Sequence, residues 1–450
     1  MTKMFRNVSL AVKQKNLSFV FPPTKERASL DVVRRPKWSE MTETTSTTAG
    51  SPSPWRADEG PGRILELITT GQARTRSALA QVSGLSRSTV GQRLDALFAA
   101  DLIREGDENV PSRGRPSRML QLNHSAVLMI GVDIGEERTR IAVTDLNTNI
   151  LVDRVERLAL GEGPDVLLDK ITTTVRDMID QAGLGDKPVA GIGLGLPAPV
   201  DYDAGKVLGW SIMSGWDGYD IRGHLRRTWQ APILIDNDVN LLTLAEHRRF
   251  WRDQPHLLYI KAGTGVGSGM VISGHINRGA QGAAGDIGHT HIAGFGDPQC
   301  RCGNLGCLES LIGGWALARD LRSRRQSNSH DARDVVDLVK RGDSEAVASL
   351  RAAGRVLGEM VAYATSLLNP DVIVLGGILG TTGDHLLAGV REVIYQRALP
   401  LATRQLRIVP TKYKSRAGIA GAGYLVRDHV LHPTTLDVTL AGGGSPFAAL

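Results

Sequence analysis

Two buried, glycine-punctuated strand runs, far apart in the chain, set the strongest limit on how it can fold. Val127-Leu-Met-Ile-Gly-Val-Asp133 is almost continuously apolar and ends in the turn Asp133-Ile134-Gly135. Leu257-Leu-Tyr-Ile260 leads through Gly263-Thr264-Gly265-Val266-Gly267 into Ser268-Gly-Met-Val-Ile272. Apolar residues at successive positions mark strands covered on both faces. Glycines after such strands let the backbone turn tightly and bring N–H groups close to an anion. Two such modules, at 131–135 and 260–269, predict two similar lobes around a cleft.

The stretches between them alternate strand and helix. Strands are expected at 140–144, 150–153, 189–196, 233–235 and 372–375. Helices are expected at 165–182, where Leu167, Leu168, Ile171, Val175, Met178 and Ile179 share a face, at 239–249 and at 346–368. Strand and helix in alternation give an α/β fold. A chain of 450 residues is also too long for one core, so two or three domains are expected.

The region before the first module has another texture. Ile64, Leu65, Leu67 and Ile68 predict an amphipathic helix, and a second spans about 76–82 with Leu79 and Val82 inward. Ser83-Gly84-Leu85 makes a tight turn, and Ser86 caps a third helix from Arg87 to about Ala100, with Val90, Leu94, Leu97 and Phe98 on its apolar side. Leu102-Ile-Arg-Glu105 and Met119-Leu-Gln-Leu122 pair as a wing around a glycine-containing loop. Three helices and a two-stranded wing make a winged helix-turn-helix. The third helix offers Arg87, Ser88, Thr89, Gln92 and Arg93 to a major groove, and the wing tip offers Arg113 and Arg115 to a minor groove. The plainer reading is a three-helix bundle with a solvated polar face.

Charge separates the two readings. Residues 1–124 hold 19 Lys and Arg against 12 Asp and Glu, a net of +7, while the remaining 326 residues carry a net of −1. A basic head on a neutral body suits operator DNA. The expected boundaries are a tail at 1–59, the winged domain at 60–124, the α/β body at 125–435 and a second tail at 436–450. The stretch 41–54, rich in Ser, Thr and Pro, cannot build a core, and Met41 competes with Met1 as the start. No apolar run approaches the ~18 residues of a membrane helix, and no signal-peptide core is present. A cytoplasmic protein without a membrane partner is expected.

The only three cysteines, Cys300, Cys302 and Cys307, lie within eight positions, with His289 just upstream. Three thiolates and one imidazole complete a tetrahedral shell for structural Zn2+. A disulfide would leave one thiol over, and simple burial is the remaining alternative. Asp236-Asn237-Asp238 precedes a helix, so it reads either as a carboxylate–amide pair for a polyol or as an N-cap cluster.

Together these motifs resemble the ROK family of repressors, open reading frames and sugar kinases. The resemblance rests on Gly131-Val-Asp133-Ile-Gly135, Gly193-Leu-Gly-Leu-Pro197-Ala-Pro199-Val-Asp201, Asp236-Asn237-Asp238-Val-Asn240, Gly285-Asp286-Ile-Gly288-His289, the cysteine run through Glu309, and Leu375-Gly376-Gly377. It covers about 60–430. It implies a two-lobed actin/hexokinase-like sugar-kinase fold behind the winged head. It also implies sugar contacts from Asn237, Asp238, Asp286, His289 and Glu309, with Asp238 as general base in a kinase. Asp133, Gly135, Gly263, Thr264, Gly265, Gly376 and Gly377 would form the phosphate loops. His289, rather than His291, would join the cysteines on the metal.

Two departures redirect the expected function. Family kinases read Asp-Ile-Gly-Gly-Thr where this chain has Asp133-Ile-Gly135-Glu136-Glu137, and a glutamate before Gly-His is shortened to Asp286. A carboxylate about 4 Å from a phosphate costs up to ~4 kcal/mol, or about three powers of ten in affinity. ATP is therefore not expected as a cofactor. The expected function is a sugar-responsive regulator, a repressor acting as homodimer or homotetramer on operator DNA. The alternatives are an ATP-dependent sugar kinase and a repressor controlled by a protein partner.

Overall fold

The computed structural model describes residues 59–110, 117–158, 160–208, 215–325 and 330–442. The expected N-terminal tail, the wing-tip residues Arg113 and Arg115, and 443–450 lie outside them. The head begins with α1 (Pro61–Thr69), α2 (Arg76–Ser83) and α3 (Arg87–Ala99). Local chemistry sets their ends. Proline occupies the first turn of α1, Thr75 accepts the Ala78 N–H to cap α2, and Gly84 closes α2 at φ +73°. Ser86 accepts the Thr89 N–H to start α3. The wing is an antiparallel pair, β1 (Ile103–Val110) and β2 (Ser117–Leu122), in which Ile103 faces Leu122.

The body repeats one topology twice. The first lobe runs β3 (Leu128–Ile134), β4 (Thr139–Thr144), β5 (Ile150–Glu156), α4 (Pro164–Gln181), β6 (Val189–Leu196), a short hairpin of β7 (Val200–Asp201) and β8 (Lys206–Val207), α5 (Ile221–Arg226) and β9 (Ile233–Asn237). Its main sheet is ordered β5-β4-β3-β6-β9. Helix α6 (Asp238–Phe250) leads into β10 (Leu257–Ala262), β11 (Val266–Ile272) and β12 (His275–Ile276). The second lobe continues with α7 (Leu308–Ile312), α8 (Gly314–Arg325), α9 (Ala332–Lys340), α10 (Ser344–Leu368), β13 (Val372–Gly376), α11 (Gly377–Gly380), α12 (His385–Arg397), α13 (Pro400–Thr403) and β14 (Arg407–Pro410). Its sheet is ordered β12-β11-β10-β13-β14. In each sheet three antiparallel strands are extended by two parallel ones. The duplication expected from the two glycine modules is therefore present.

Each lobe has its own apolar core. A third core is shared. Ile64, Leu65, Leu79, Leu94 and Leu97 of the head pack in one cluster with Met129, Leu241, Ala422, Leu425 and Val426 of the body. The largest part of the body's share from any one element comes from α14 (Ala417–Val430), which crosses β3, β6 and α6. The crossing is too close for side chains. A Cβ on Gly193 would lie 2.5 Å from the Ala422 carbonyl oxygen, and one on Gly421 2.0 Å from that of Leu241.

Two expectations are corrected. Val82, expected inward, is 49% exposed, because the short α2 fully buries only Leu79. A final helix, α15 (Pro433–Ala441), runs through position 436, where a tail was to begin. It buries Leu436, and its Asp437 accepts the Gly62 N–H at 2.7 Å, satisfying an open donor in the first turn of α1. The sequence near 436 carries no strong helix pattern, and the docking surface exists only once α1 is in place. No helix among the described residues is long and apolar enough to cross a membrane.

Gly193→Ala is expected to cost about 1–3 kcal/mol by forcing α14 off the sheet. A urea titration should show a lower midpoint with an unchanged slope.

Candidate functional site

The residues expected to carry chemistry gather where the two sheets face each other around α6. Asn237 ends β9 and Asp238 opens α6. Asn237 is the N-cap: its Oδ1 accepts the Val239 N–H at 2.9 Å, and its Nδ2 donates to the Ala198 carbonyl at 3.0 Å. The capping reading of this tripeptide is thus realised for Asn237. That leaves one amide hydrogen for a ligand. Asp236 is structural, accepting from the Asn237 N–H, Asn240 Nδ2 and Arg278, each at 2.8 Å.

Asp238 is buried, and its Oδ2 accepts a hydrogen bond from Lys261 at the end of β10. Lys261 did not stand out in the sequence. The available signal was a single charge in an apolar strand, two residues before the glycine loop. Burial works against its ammonium, yet Asp238, and after it Asp133 and Glu136, hold its pKa above the ordinary lysine value. Asp133, at the end of β3, is pushed from 3.8 up to about 6 by burial and then by the charge of Asp238, against Lys261 and Arg140.

The second glycine loop is occupied from within the chain. Glu309, in the first turn of α7, accepts the Val266 N–H at 3.1 Å and Trp315 Nε1–H at 3.2 Å. A Cβ on Gly265 would lie 2.4 Å from Glu309 Oε2, so glycine is needed there for the carboxylate to dock. Gly263 and Thr264 carry carbonyls that accept from Gly314 and Trp315. Gly376 and Gly377 pack closely on β10: a Cβ on Gly377, at φ +79°, would meet the Ala262 carbonyl oxygen at 2.2 Å.

Glu136 and Glu137 follow Gly135 and reach the second lobe. Glu136 lies 3.9 Å from Arg301, and Glu137 3.5 Å from Arg333. Arg301 also approaches Glu309 at 3.5 Å and stacks 5.1 Å from the Trp315 ring. It was missed in the sequence, although it stands between two expected metal ligands.

Those ligands converge. One donor atom each from His289, Cys300, Cys302 and Cys307 lies within 4.8 Å of the others. His289 Nδ1 is 3.6 Å from Cys300 Sγ, and Cys302 Sγ is 3.7 Å from Cys307 Sγ. A disulfide would need about 2.05 Å. A tetrahedron around zinc with bonds of about 2.3 Å has edges of about 3.8 Å, so the donor set suits one such ion. His291 instead bonds Asp297 at 2.9 Å. Asp286 stands within electrostatic reach of His289 and Glu309; desolvation, and Glu309 with it, hold its carboxyl above the ordinary range, against His289.

In the head, Arg87, Ser88 and Gln92 are exposed along α3. Ser88 and Thr89 bond the Ser86 hydroxyl, each at 2.8 Å, and Arg93 Nε–H donates to the Glu59 carbonyl at 2.9 Å.

The ROK family model matches residues 129–429, two thirds of the chain. The chain belongs to the ROK family. It is 26% identical over 382 residues to the xylose repressor of Caldicellulosiruptor bescii, covering 82% of this chain and 95% of the repressor. To the glucokinase of Halalkalibacterium halodurans it is 29% identical over 319 residues, covering 66% of this chain and 94% of that enzyme. Its fold matches the crystal structure of a ROK family transcriptional regulator, a homolog of the E. coli MLC protein, with a TM-score of 0.74 at 24% identity over 86% of this chain and 100% of that one. This ROK chain thus has the two-lobed sugar-kinase-like fold, with further residues preceding the family region.

Asp133→Asn tests the electrostatics of the site. A raised folded-state pKa means that stability is lost as pH rises from about 4 to about 6, where Asp133 ionises against its surroundings. The asparagine variant should match wild type below about pH 4 and exceed it above pH 6 by about 1–3 kcal/mol in chemical denaturation.

Proposed function

We propose that this ROK protein is a sugar-responsive transcriptional repressor whose head binds operator DNA and whose body binds a sugar or sugar derivative between its lobes. The carrying observation is that the similarity to a xylose repressor spans 382 residues, whereas that to a glucokinase spans 319. The sharing of one apolar core by head and body supports the same reading, since it gives a ligand in the body a mechanical route to the head.

In this reading Asp238, Asp286 and Glu309 accept hydroxyl hydrogens from the sugar, while Asn237 and His289 donate. Arg87, Ser88, Thr89, Gln92 and Arg93 face the major groove, and Arg113 and Arg115 the minor groove. His289, Cys300, Cys302 and Cys307 hold a structural Zn2+, which fixes the loop that delivers Arg301 and Glu309. The cleft takes no ATP and catalyses no phosphoryl transfer. A homodimer, or a homotetramer built from it, lets two heads read paired half-sites.

A sugar kinase is the second reading, favoured by the place of Asp238 at the mouth of α6 and by the glucokinase similarity. A coupled ADP-release assay separates the two: turnover that Asp238→Asn abolishes would establish the kinase.

Sugar binding should change the apparent operator affinity by about 5- to 150-fold, the usual range of coupling between two sites. Thermal shifts with xylose, glucose and N-acetylglucosamine, followed by mobility shifts with the best of them, check this. Asp238→Asn should weaken the sugar by about tenfold or more and leave sugar-free operator binding intact, whereas Arg87→Ala should do the reverse. Operator binding indifferent to every sugar would point to a protein partner. Metal analysis should give about one zinc per chain, lost in Cys300→Ser.

A further inference from the structure

We propose that Lys261 is a built-in cation: its ammonium, bonded to Asp238 at the start of α6, stands where a nucleotide-bound divalent metal would need to sit, and so makes this cleft a sugar site closed to metal–nucleotide. The inference rests on the reading of the cleft as a sensor.

Placement is the first argument. Lys261 is paired in the sheet with Gly267 on one side and Gly376 on the other. Both cross-strand neighbours lack a side chain, so the lysine stem crosses a bare strip of sheet towards α6. There the ammonium bonds Asp238 directly. Asp133 and Glu136 act on the same charge from the end of β3 and from the turn after it. The three carboxylates come from one lobe's sheet and the α6 start, while the cation comes from the sheet of the other.

Chemistry is the second. A site with several carboxylates beside a glycine loop is how a protein holds a hard divalent cation together with substrate phosphates. Here that space holds a positive charge tethered by four methylenes, at effectively unlimited local concentration. A metal could enter only by driving the ammonium out of its ion pair, or by sitting beside it with like charge. The nearby loops agree. Glu309 occupies the Val266 N–H of the second glycine loop, and Glu136 and Glu137 turn from the first loop to Arg301 and Arg333. Metal–nucleotide therefore does not fit these residues. The same ammonium orients Asp238 as a hydrogen-bond acceptor, which a neutral sugar can use and a phosphate cannot.

The test removes the charge and keeps the shape. Full-length wild type and Lys261→Met, both zinc-loaded, are titrated with MnCl2 and followed by electron paramagnetic resonance and calorimetry. Wild type should bind no Mn2+ that depends on Asp133. Lys261→Met should bind about one per chain, at least about tenfold more tightly, and adding Asp133→Asn should remove it. Lys261→Gln, which keeps a donor for Asp238, serves if the methionine variant does not fold. A folded Lys261 variant that binds Mn2+ no better than wild type overturns the inference, as does an Asp133-dependent Mn2+ site in wild type. Sugar-dependent operator release by wild type, measured separately, decides the sensor reading, so either can fail alone.

Discussion

The close crossing of α14 over β3, β6 and α6 is the contact on which the rest of this structure hangs. It is made by backbone against backbone, at glycines whose would-be Cβ atoms fall 2.0–2.7 Å from carbonyl oxygens. Helix and sheet at that separation interlock with no room to slide. From this fixed line the helix presents Ala422, Leu425 and Val426 to one core with the head. Each fully buried aliphatic side chain in such a core contributes about 1.5–3 kcal/mol. The head is thus bonded to the body by shared apolar burial and by the Asp437–Gly62 hydrogen bond, in addition to the chain that links them.

The same helix ties the head to the chemistry. At its start, Gly418 is so close to Asp133 that a Cβ would lie 2.1 Å from the carboxylate. Along its length it lies on α6, whose first residue is Asp238. Fourteen residues at 1.5 Å each span about 21 Å, from the floor of the cleft to the core of the head. Where α14 ends, a cavity of about 330 Å³, lined by Arg74, Arg104 and Arg427 among others, leaves part of the head–body junction unfilled. Under the proposed reading, a ligand that favours one spacing of β3 and α6 would act on the head through this junction, but only by its difference in affinity for the two arrangements.

Much of this was legible in the sequence, and what was not has physical reasons. Buried strands and their glycines announced both lobes because burial on two faces leaves long apolar runs. The metal ligands were legible because one ion demands close spacing. The glycines of the strands were harder. Gly131 and Gly193 stand in the motifs that carry the family resemblance, yet a Cβ on either would strike α14, 288 and 229 positions away from them at Ile419 and Ala422. No local pattern carries that contact. Asn237 shows the opposite case: its local role as a helix cap was one of two readings open in the sequence, and the cap leaves it one amide hydrogen for anything else. Lys261 was missed because a lone lysine near a strand end usually reaches solvent. Only the fold brings the Asp238 carboxylate to it.

The cysteine cluster gains its meaning from what stands beside its ligands. Arg301 lies between Cys300 and Cys302, and Glu309 two residues after Cys307. Arg301 extends to Glu136 of the first lobe, while Glu309 docks on the glycine loop of the second. A loop this rich in glycine would sample many conformations if nothing gathered its donors, and two long charged side chains on it would hold no fixed geometry. An ion held by the four donors would remove that freedom. A metal held there would act on the cleft through geometry, setting where one arginine and one glutamate stand; those two charges meet Glu136 and the glycine loop across the mouth of the site. With Lys261 bonded to Asp238 at the floor, the cleft is built from fixed charges at both ends, and under the proposed reading a neutral, hydroxyl-rich ligand would be held between them.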